Sequence, residues 1–170
     1  LMIPNSKSYN LIIGNPPYLG EKNNREIFEK IRLTEFGQKY YEGKMDYLYF
    51  FIEKGIELLK KDGVLSYITT NYWLRADGAN KLREAIKENT YFYYINNINK
   101  SVFKDALGQH NMIFTLTKDK INEFDLVINE EKIKVKNNKI FDSNNKISLM
   151  NQDDYEFCEK ESTVFIRRKI

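Results

Sequence analysis

Residues 9–18, Tyr-Asn-Leu-Ile-Ile-Gly-Asn-Pro-Pro-Tyr, contain an apolar run that stops abruptly at two prolines. A short apolar run bounded by turn residues is typical of a buried β-strand. Proline has no N–H group and restricts the residue before it to extended geometry. Asn15, Pro16, Pro17 and Tyr18 are therefore expected to form a rigid loop at the C-terminal end of a strand. The Asn15 side-chain oxygen and the Pro16 carbonyl would be fixed hydrogen-bond acceptors.

The residues after this loop predict a helix followed by a second strand. Asp46 can cap a helix, and Lys60–Gly63 supplies cations and a glycine stop at its end. The apolar positions at helical spacing are Leu48, Phe51, Ile52, Ile56 and Leu59. Residues 64–70 form the second strand. Strand, crossover helix and strand make up the parallel unit of an open α/β sheet, whose ligands bind beyond the carboxyl ends of the strands.

The rest of the chain predicts a mixed sheet with a small extension. The polar residues 19–44 are interpreted as a mobile insertion with a helix around Arg25–Arg32. A further helix is expected over residues 78–89, and the close strands 91–98 and 112–117 should pair antiparallel. Beyond Asp119, short strands alternate with Asn and Lys turns, and a charged helical stretch begins at Asp153.

Composition excludes several classes of site. The chain has 170 residues, 42% of them hydrophobic, which is enough for one globular core. Its single cysteine, Cys158, and single histidine, His110, cannot form a disulfide or a zinc cluster, and they leave little room for a covalent nucleophile. No apolar run has the length of a membrane span, and no secretion signal is evident, so a cytoplasmic location is expected.

Local charge clusters are more informative than the net charge of +3. One cluster consists of Lys22, Arg25, Lys30, Arg32, Lys39 and Lys44, and the other of Lys132, Lys134 and Lys136. Both are compatible with contacts to nucleic-acid phosphates. Both are equally compatible with a solvated helix face and the outer face of an edge strand.

Residues 10–18 resemble the catalytic motif of the gamma-class, adenine-N6-specific DNA methyltransferases of restriction-modification systems. The similarity continues in the family's order through residues 46–60, 63–74 and 101–113, and it covers about residues 8–118. Asn10 stands where Asp is common, and Thr70 stands where proline is common. Neither position would contact the adenine.

This resemblance implies direct transfer of a methyl group from S-adenosylmethionine to adenine N6, on a base flipped out of double-stranded DNA. The N6 lone pair is delocalised into the ring, so acceptors such as those of Asn15–Tyr18 would be needed to free it. Tyr18 would stack on one face of the base, and Phe103 would pack from the other side. Asn15 is also a possible cofactor contact, and no metal is expected.

In this class the glycine-rich loop that binds the cofactor precedes the Asn-Pro-Pro-Tyr motif, and no two glycines here are close enough to form it. Residues 1–120 are therefore expected to be the target-base half of the catalytic domain, with strands four to seven of a partial Rossmann-like sheet. Residues 121–170 would be an extension or linker toward a target-recognition domain. The missing N-terminal half and that domain would belong to the same polypeptide, and the isolated piece should be inactive.

Three alternatives stay open on the sequence. Asp125 ahead of Glu130, Glu131 and Lys132 superficially fits the metal site of a restriction endonuclease, although the spacing is short. The Lys132–Lys136 stripe would suit a non-catalytic DNA-binding module. The same acceptors could also serve methylation of RNA adenine or of a protein amide.

Overall fold

A six-stranded mixed sheet organises the part of the chain that the structure describes, residues 8–98 and 110–149 of a computed structural model. The strands are β1 (Tyr9–Gly14), β2 (Leu59–Thr70), β3 (Tyr91–Asn97), β4 (Asn111–Thr117), β5 (Glu123–Ile128) and β6 (Glu131–Lys136). The α-helices are α1 (Arg25–Arg32), α2 (Glu35–Tyr40), α3 (Tyr47–Leu58) and α4 (Asn80–Asn89). Short 3-10 helices cover Glu21–Asn23, Tyr72–Leu74, Asp77–Ala79 and Asn137–Lys139. The predicted α/β class is confirmed.

The predicted parallel unit is present, because β1 pairs parallel with β2 and α3 connects them. The Asp46 carboxylate accepts a hydrogen bond from the Leu48 N–H at 3.0 Å and so caps α3 as predicted. The end of the helix was predicted too late. The chain leaves the helix at Leu58 and enters β2 at once, and residues 60–63 lie where the β1–β2 register shifts.

The sheet continues through antiparallel pairs in the order β1-β2-β4-β3-β5-β6. β4 lies between β2 and β3 and pairs antiparallel with both, which confirms the predicted β3–β4 partnership. β5 pairs parallel with β3, and β6 pairs antiparallel with β5. The short strands beyond residue 119 therefore extend the same sheet.

β1 lies at one edge of this sheet and is more exposed than its apolar sequence predicts. Leu11 is 59% exposed and Ile13 is 71% exposed. The prediction of a buried strand is wrong for the described residues, because none of them forms a strand on the other side of β1 or covers these side chains.

Residues 19–44 pack on the core through a few aromatic residues, and most of their other side chains are exposed. The helix predicted at Arg25–Arg32 is present, and α2 follows it. Phe28 is buried, and its ring centroid lies 5.9 Å from that of Phe50 on α3. Aromatic residues at helical spacing thus anchor this largely polar segment to the core. None of the helices in the described ranges combines the length and apolar character needed to cross a bilayer.

The core contains a titratable group that has no hydrogen-bond partner among the described residues. The Glu53 side chain on α3 is fully buried, and neither of its carboxylate oxygens has a hydrogen-bond partner among the described residues. Burial, reinforced by the Glu42 carboxylate and opposed by Lys81, raises the pKa of the Glu53 carboxyl to about 9. At neutral pH the carboxyl is therefore protonated in the folded chain and ionised in the unfolded chain.

We expect Glu53→Gln to stabilise the chain above pH 5 and to flatten its pH dependence. A raised folded-state pKa gives stability that is full below the unfolded value near 4.5 and is lost as pH rises toward 9. The neutral amide removes this loss, which amounts to at most about 3 kcal/mol at pH 7. Urea unfolding of both proteins from pH 5 to pH 9 measures the effect.

Glu57→Gln on the same helix is the matched control. Burial raises the pKa of the Glu57 carboxyl, but hydrogen bonds from Tyr40, Lys39 and Lys54 outweigh it, and the net shift is downward. The stability that Glu57 contributes is lost only as pH falls below about 4.5. Its substitution should change stability by a constant amount between pH 6 and pH 9, and an equal slope in both variants would contradict the assignment to Glu53.

Candidate active site

The Asn15–Tyr18 loop lies at the end of the sheet where the C-terminal ends of β1 and β2 meet. β1 ends at Gly14, immediately before Asn15, and the parallel strand β2 ends at Thr70. The Tyr18 hydroxyl donates a hydrogen bond to the Ile68 carbonyl at 3.3 Å and so ties the loop to β2. The loop therefore occupies the place where ligands of open α/β sheets bind.

The Asn15 and Tyr18 side chains are in contact with each other. The Tyr18 hydroxyl has a single hydrogen, which it shares between the Ile68 carbonyl and the Asn15 Oδ1, the nearer acceptor at 3.1 Å. Burial, and then the Asp46 carboxylate, raises the pKa of the Tyr18 phenol, so the hydroxyl stays protonated and remains a donor at neutral pH. Asn15 is exposed, which leaves its oriented amide accessible from solvent.

The two prolines differ in burial, and the ring of Tyr18 is only partly accessible. Pro16 is buried, whereas Pro17 is exposed. The Tyr18 ring is half-buried and packs against the hydrophobic core. The loop is therefore anchored by Pro16 and Tyr18, and it presents Asn15 and Pro17 outward.

Asp46 joins the loop to the start of α3, a role that its capping position alone does not reveal. Its Oδ1 accepts hydrogen bonds from the Leu19 N–H at 3.1 Å and from the Leu48 N–H. The Tyr47 N–H in turn donates to the Leu19 carbonyl at 3.0 Å. Burial raises the pKa of the Asp46 carboxyl, and these backbone hydrogen bonds oppose the rise. The loop and the helix terminus thus form one connected unit.

A polar cluster that the sequence analysis did not predict lies at the same end of the sheet. The Asn71 side chain, just after β2, donates to the Asn97 Oδ1 at 3.0 Å, at the end of β3. The Asn71 N–H donates to the carbonyl of His110, just before β4. Isolated asparagines are common in loops, so only the pairing of the strands brings this cluster together. Phe103, the other predicted stacking residue, lies outside the described residues.

An apolar cleft of about 410 Å³ adjoins the loop on the β1 side. Leu11, Ile13 and Phe51 line it, and Asn15 and Pro16 stand at its end. This volume is within the range of small-molecule sites. An apolar wall with a polar amide at its end fits one side of a nucleoside such as that of S-adenosylmethionine. The chain contributes no glycine-rich loop for the other side.

The residues of the alternative nuclease site do not assemble a group of metal ligands among the described residues. Both carboxylate oxygens of Asp125 are engaged, by Lys132 at 2.8 Å and by Lys134 at 2.6 Å. Hydrogen bonds from Lys132 and Lys134 lower the pKa of the Asp125 carboxyl. Glu130 lies in the β5–β6 turn rather than on a strand face with Lys132. Across the described ranges, no three His, Cys, Asp or Glu side chains gather as a metal site would require.

A family model and two relatives match a large part of this chain. A sequence model of the Eco57I restriction-modification methylase family matches residues 2–103. The type II restriction enzyme and methyltransferase RM.Eco57I of Escherichia coli is 29% identical over 119 residues, which are 68% of this chain and 12% of that protein. The type II methyltransferase M.HincII of Haemophilus influenzae is 34% identical over 113 residues, 66% of this chain and 22% of that protein. The chain spans less than a quarter of either relative.

The fold has a counterpart among solved structures. A putative class I S-adenosylmethionine-dependent methyltransferase of Listeria monocytogenes superimposes with a TM-score of 0.51 at 20% identity, covering 72% of this chain and 34% of that one. The predicted Rossmann-like methyltransferase sheet is confirmed by this likeness.

Proposed function

Because the chain belongs to the Eco57I restriction-modification methylase family, we propose that its Asn15–Tyr18 loop holds an adenine amino group while N6 receives a methyl group in DNA. The observation that carries the proposal is the hydrogen bond from the Tyr18 hydroxyl to the Asn15 Oδ1. It fixes the direction of the exposed Asn15 amide oxygen at the C-terminal ends of the strands, where ligands of open α/β sheets bind.

Asn15 is suited to activate a poor nucleophile. A carbonyl oxygen of an amide has two lone pairs, and the Tyr18 hydroxyl uses one of them. The second can accept a hydrogen bond from one N6 hydrogen, and the Pro16 carbonyl is proposed to accept from the other. Two acceptors placed in this way favour a pyramidal nitrogen and stabilise the positive charge that develops as the methyl group arrives.

The target base has to leave the duplex to reach these acceptors, because N6 is held in a base pair inside it. Tyr18 is proposed to present the accessible part of its ring to one face of the flipped adenine. Phe103 is proposed, from the resemblance alone, to pack on the opposite face. Stacking between two rings would hold the base with its N6 edge toward Asn15.

S-adenosylmethionine would supply an electrophilic methyl group, and the methyltransferase fold supports its use. Leu11, Ile13 and Phe51 are proposed to form one apolar wall of its site, with Asn15 at the end. The remaining wall and the recognition of the DNA sequence are proposed to come from other parts of a longer polypeptide. The small share of the relatives that this chain spans supports that arrangement.

The nuclease alternative has less support. Asp125 is held between two lysines. About two thirds of the chain matches M.HincII, which is named as a methyltransferase only, and a similar share matches RM.Eco57I, which is named as both restriction enzyme and methyltransferase. The two ion pairs also occupy Lys132 and Lys134, which weakens the case for a lysine-stripe binding module.

The chemical identity of the modified base tests the proposal. We expect DNA from cells that produce the full-length enzyme to contain N6-methyladenine at one sequence, as measured by modified-base sequencing and by mass spectrometry of nucleosides. Cells that produce the Asn15→Ala enzyme should lack it. Methylcytosine in place of N6-methyladenine would refute the adenine assignment, and unmodified DNA from the wild-type cells would refute the methylation.

A further inference from the structure

We propose that a second cleft, beside the Asn15–Tyr18 loop, binds backbone phosphates of the target DNA strand next to the flipped adenine. This inference rests on the proposed function, whose partner it specifies. The cleft has a volume of about 680 Å³ and is bounded by the Glu21–Asn23 turn, α1 and residues 41–45. We call it the basic cleft, and its cations are Lys22, Arg25, Arg32 and Lys44.

The basic cleft carries an excess of accessible positive charge. All four cations are exposed, and the lining also contains two acidic residues, Glu21 and Glu29. The Glu21 carboxylate is engaged within the wall, where it accepts hydrogen bonds from the Tyr41 hydroxyl and from the Met45 N–H. A wall of this kind attracts an anion such as a phosphodiester.

Three of the cations are available for a ligand. Among the residues that the structure describes, Lys22, Arg25 and Lys44 form no salt bridge. Lys39, from the same cluster in the sequence, is instead paired with Glu57 at 3.1 Å and does not line the basic cleft. Folding therefore separates cations that stabilise the protein from cations that face an open cleft.

The basic cleft lies within reach of the adenine site. Gly20 lines it and follows Tyr18 by two residues, which limits their separation to about 7 Å. Neighbouring nucleotides of one strand rise by about 3.4 Å, so this is roughly two nucleotide steps. A base that rotates out of the duplex stays attached to its own phosphates. Those phosphates and their neighbours must then pass close to the loop.

The wall is held in a backbone conformation that side chains rarely adopt. Gly43 and Lys44 have φ values of 87° and 54°. For a lysine this left-handed conformation is unfavourable, because the side chain crowds the backbone. Gly78 packs so closely against the same turn that a Cβ there would clash with the Lys44 carbonyl oxygen. The fold thus maintains a strained residue at the rim of the basic cleft, as is common at ligand-binding sites.

The test compares two triple variants of the full-length enzyme that remove the same number of positive charges. The first replaces the cleft cations (Lys22→Gln, Arg25→Gln and Lys44→Asn), and Asn is chosen because it tolerates positive φ. Arg32 is kept because its guanidinium packs over the Tyr41 ring. The control triple is Lys60→Gln, Lys61→Gln and Lys120→Gln, all exposed and near the opposite end of the β2 and β4 strands from the loop.

Binding is measured by fluorescence anisotropy between about 50 and 200 mM salt. The probes are a labelled DNA duplex that carries the methylated sequence and a duplex of arbitrary sequence. We expect the cleft triple to weaken binding at least about tenfold and to reduce the salt slope by about 2 to 3, with the control triple close to wild type. Equal thermal unfolding midpoints would establish that all three proteins are folded.

Wild-type affinity and salt slope in the cleft triple would overturn the proposal, and so would equal losses in both triples. Each of these results can occur with an enzyme that still methylates adenine. Failure of the proposed function appears separately, as a wild-type enzyme that modifies no DNA. In that case the titration with the duplex of arbitrary sequence still decides whether the basic cleft binds DNA.

Discussion

Replacing Asn15 with alanine in the full-length enzyme should lower the rate of methyl transfer by about 100- to 1000-fold, while DNA binding persists. Loss of one acceptor on developing charge typically has this effect in preorganised sites. A tritiated-methyl assay measures the rate, and anisotropy measures the binding. Wild-type turnover in this variant would mean that the amide oxygen has no part in the reaction.

Tyr18→Phe is the control that separates two explanations of such a loss. Asn15→Ala removes an acceptor and also takes away one of the two hydrogen-bond acceptors of the Tyr18 hydroxyl. Tyr18→Phe breaks the same hydrogen bond, together with the one to the Ile68 carbonyl, but keeps the Asn15 oxygen. We expect it to slow the reaction only severalfold, since a hydrogen bond of this kind contributes about 1 kcal/mol. If both variants lost activity equally, the hydrogen bond between Tyr18 and Asn15 would account for the loss, rather than the second lone pair of the Asn15 oxygen.

Replacing Tyr18 with alanine should weaken capture of the extrahelical base by roughly ten- to a hundredfold. Stacking of a base on an aromatic ring contributes about 1 to 3 kcal/mol. The readout is fluorescence of 2-aminopurine at the target position, which brightens when the base leaves the stack and is quenched by an aromatic partner. The resemblance predicts the same result for Phe103→Ala.

The same assay distinguishes a Tyr18 ring that stacks on the base from one that only holds the loop in place. The Tyr18 ring is half-buried against the core, so alanine also removes packing. Tyr18→Phe keeps the ring and should keep the quenched signal. If the Tyr18→Ala enzyme bound the DNA and quenched 2-aminopurine as the wild type does, Tyr18 would not stack on the base and would only hold the loop in place. For Phe103, unchanged fluorescence and turnover would mean that the residue carried over from the family has no contact with the base.

The parts of the fold that sequence predicted well are those decided by local patterns. α3 has both a capping aspartate and apolar positions at helical spacing, and β3 and β4 are short apolar runs of consistent length. The loop after β1 was likewise placed correctly, because two adjacent prolines allow few backbone conformations.

The parts that sequence predicted poorly depend on neighbours distant in the chain. Burial of an apolar strand depends on what lies beside it, and the local sequence of β1 contains no such information. The start of β2 depends on its pairing with β1, which takes precedence over the glycine stop at Gly63. The core position of Phe28 is set by Phe50 on a later helix.

The candidate site likewise combines residues that local sequence predicts with contacts that only the folded chain creates. Asn15 and Tyr18 could be proposed from their spacing, but their mutual hydrogen bond depends on the turn geometry of the loop. The second role of Asp46 and the Asn71–Asn97 contact arise only when separate segments meet. Six cations formed one cluster in the sequence, and the structure assigns four of them to the basic cleft.

The exposed edge of β1 also determines how the molecule should behave in a concentrated solution. Its backbone N–H and C=O groups on that side have no strand partner among the described residues, and Leu11 and Ile13 stand beside them in solvent. Exposed, apolar strand edges are templates for pairing between chains. The isolated polypeptide should therefore associate with copies of itself as its concentration rises. During synthesis, rapid covering of this edge would protect the nascent protein from aggregation.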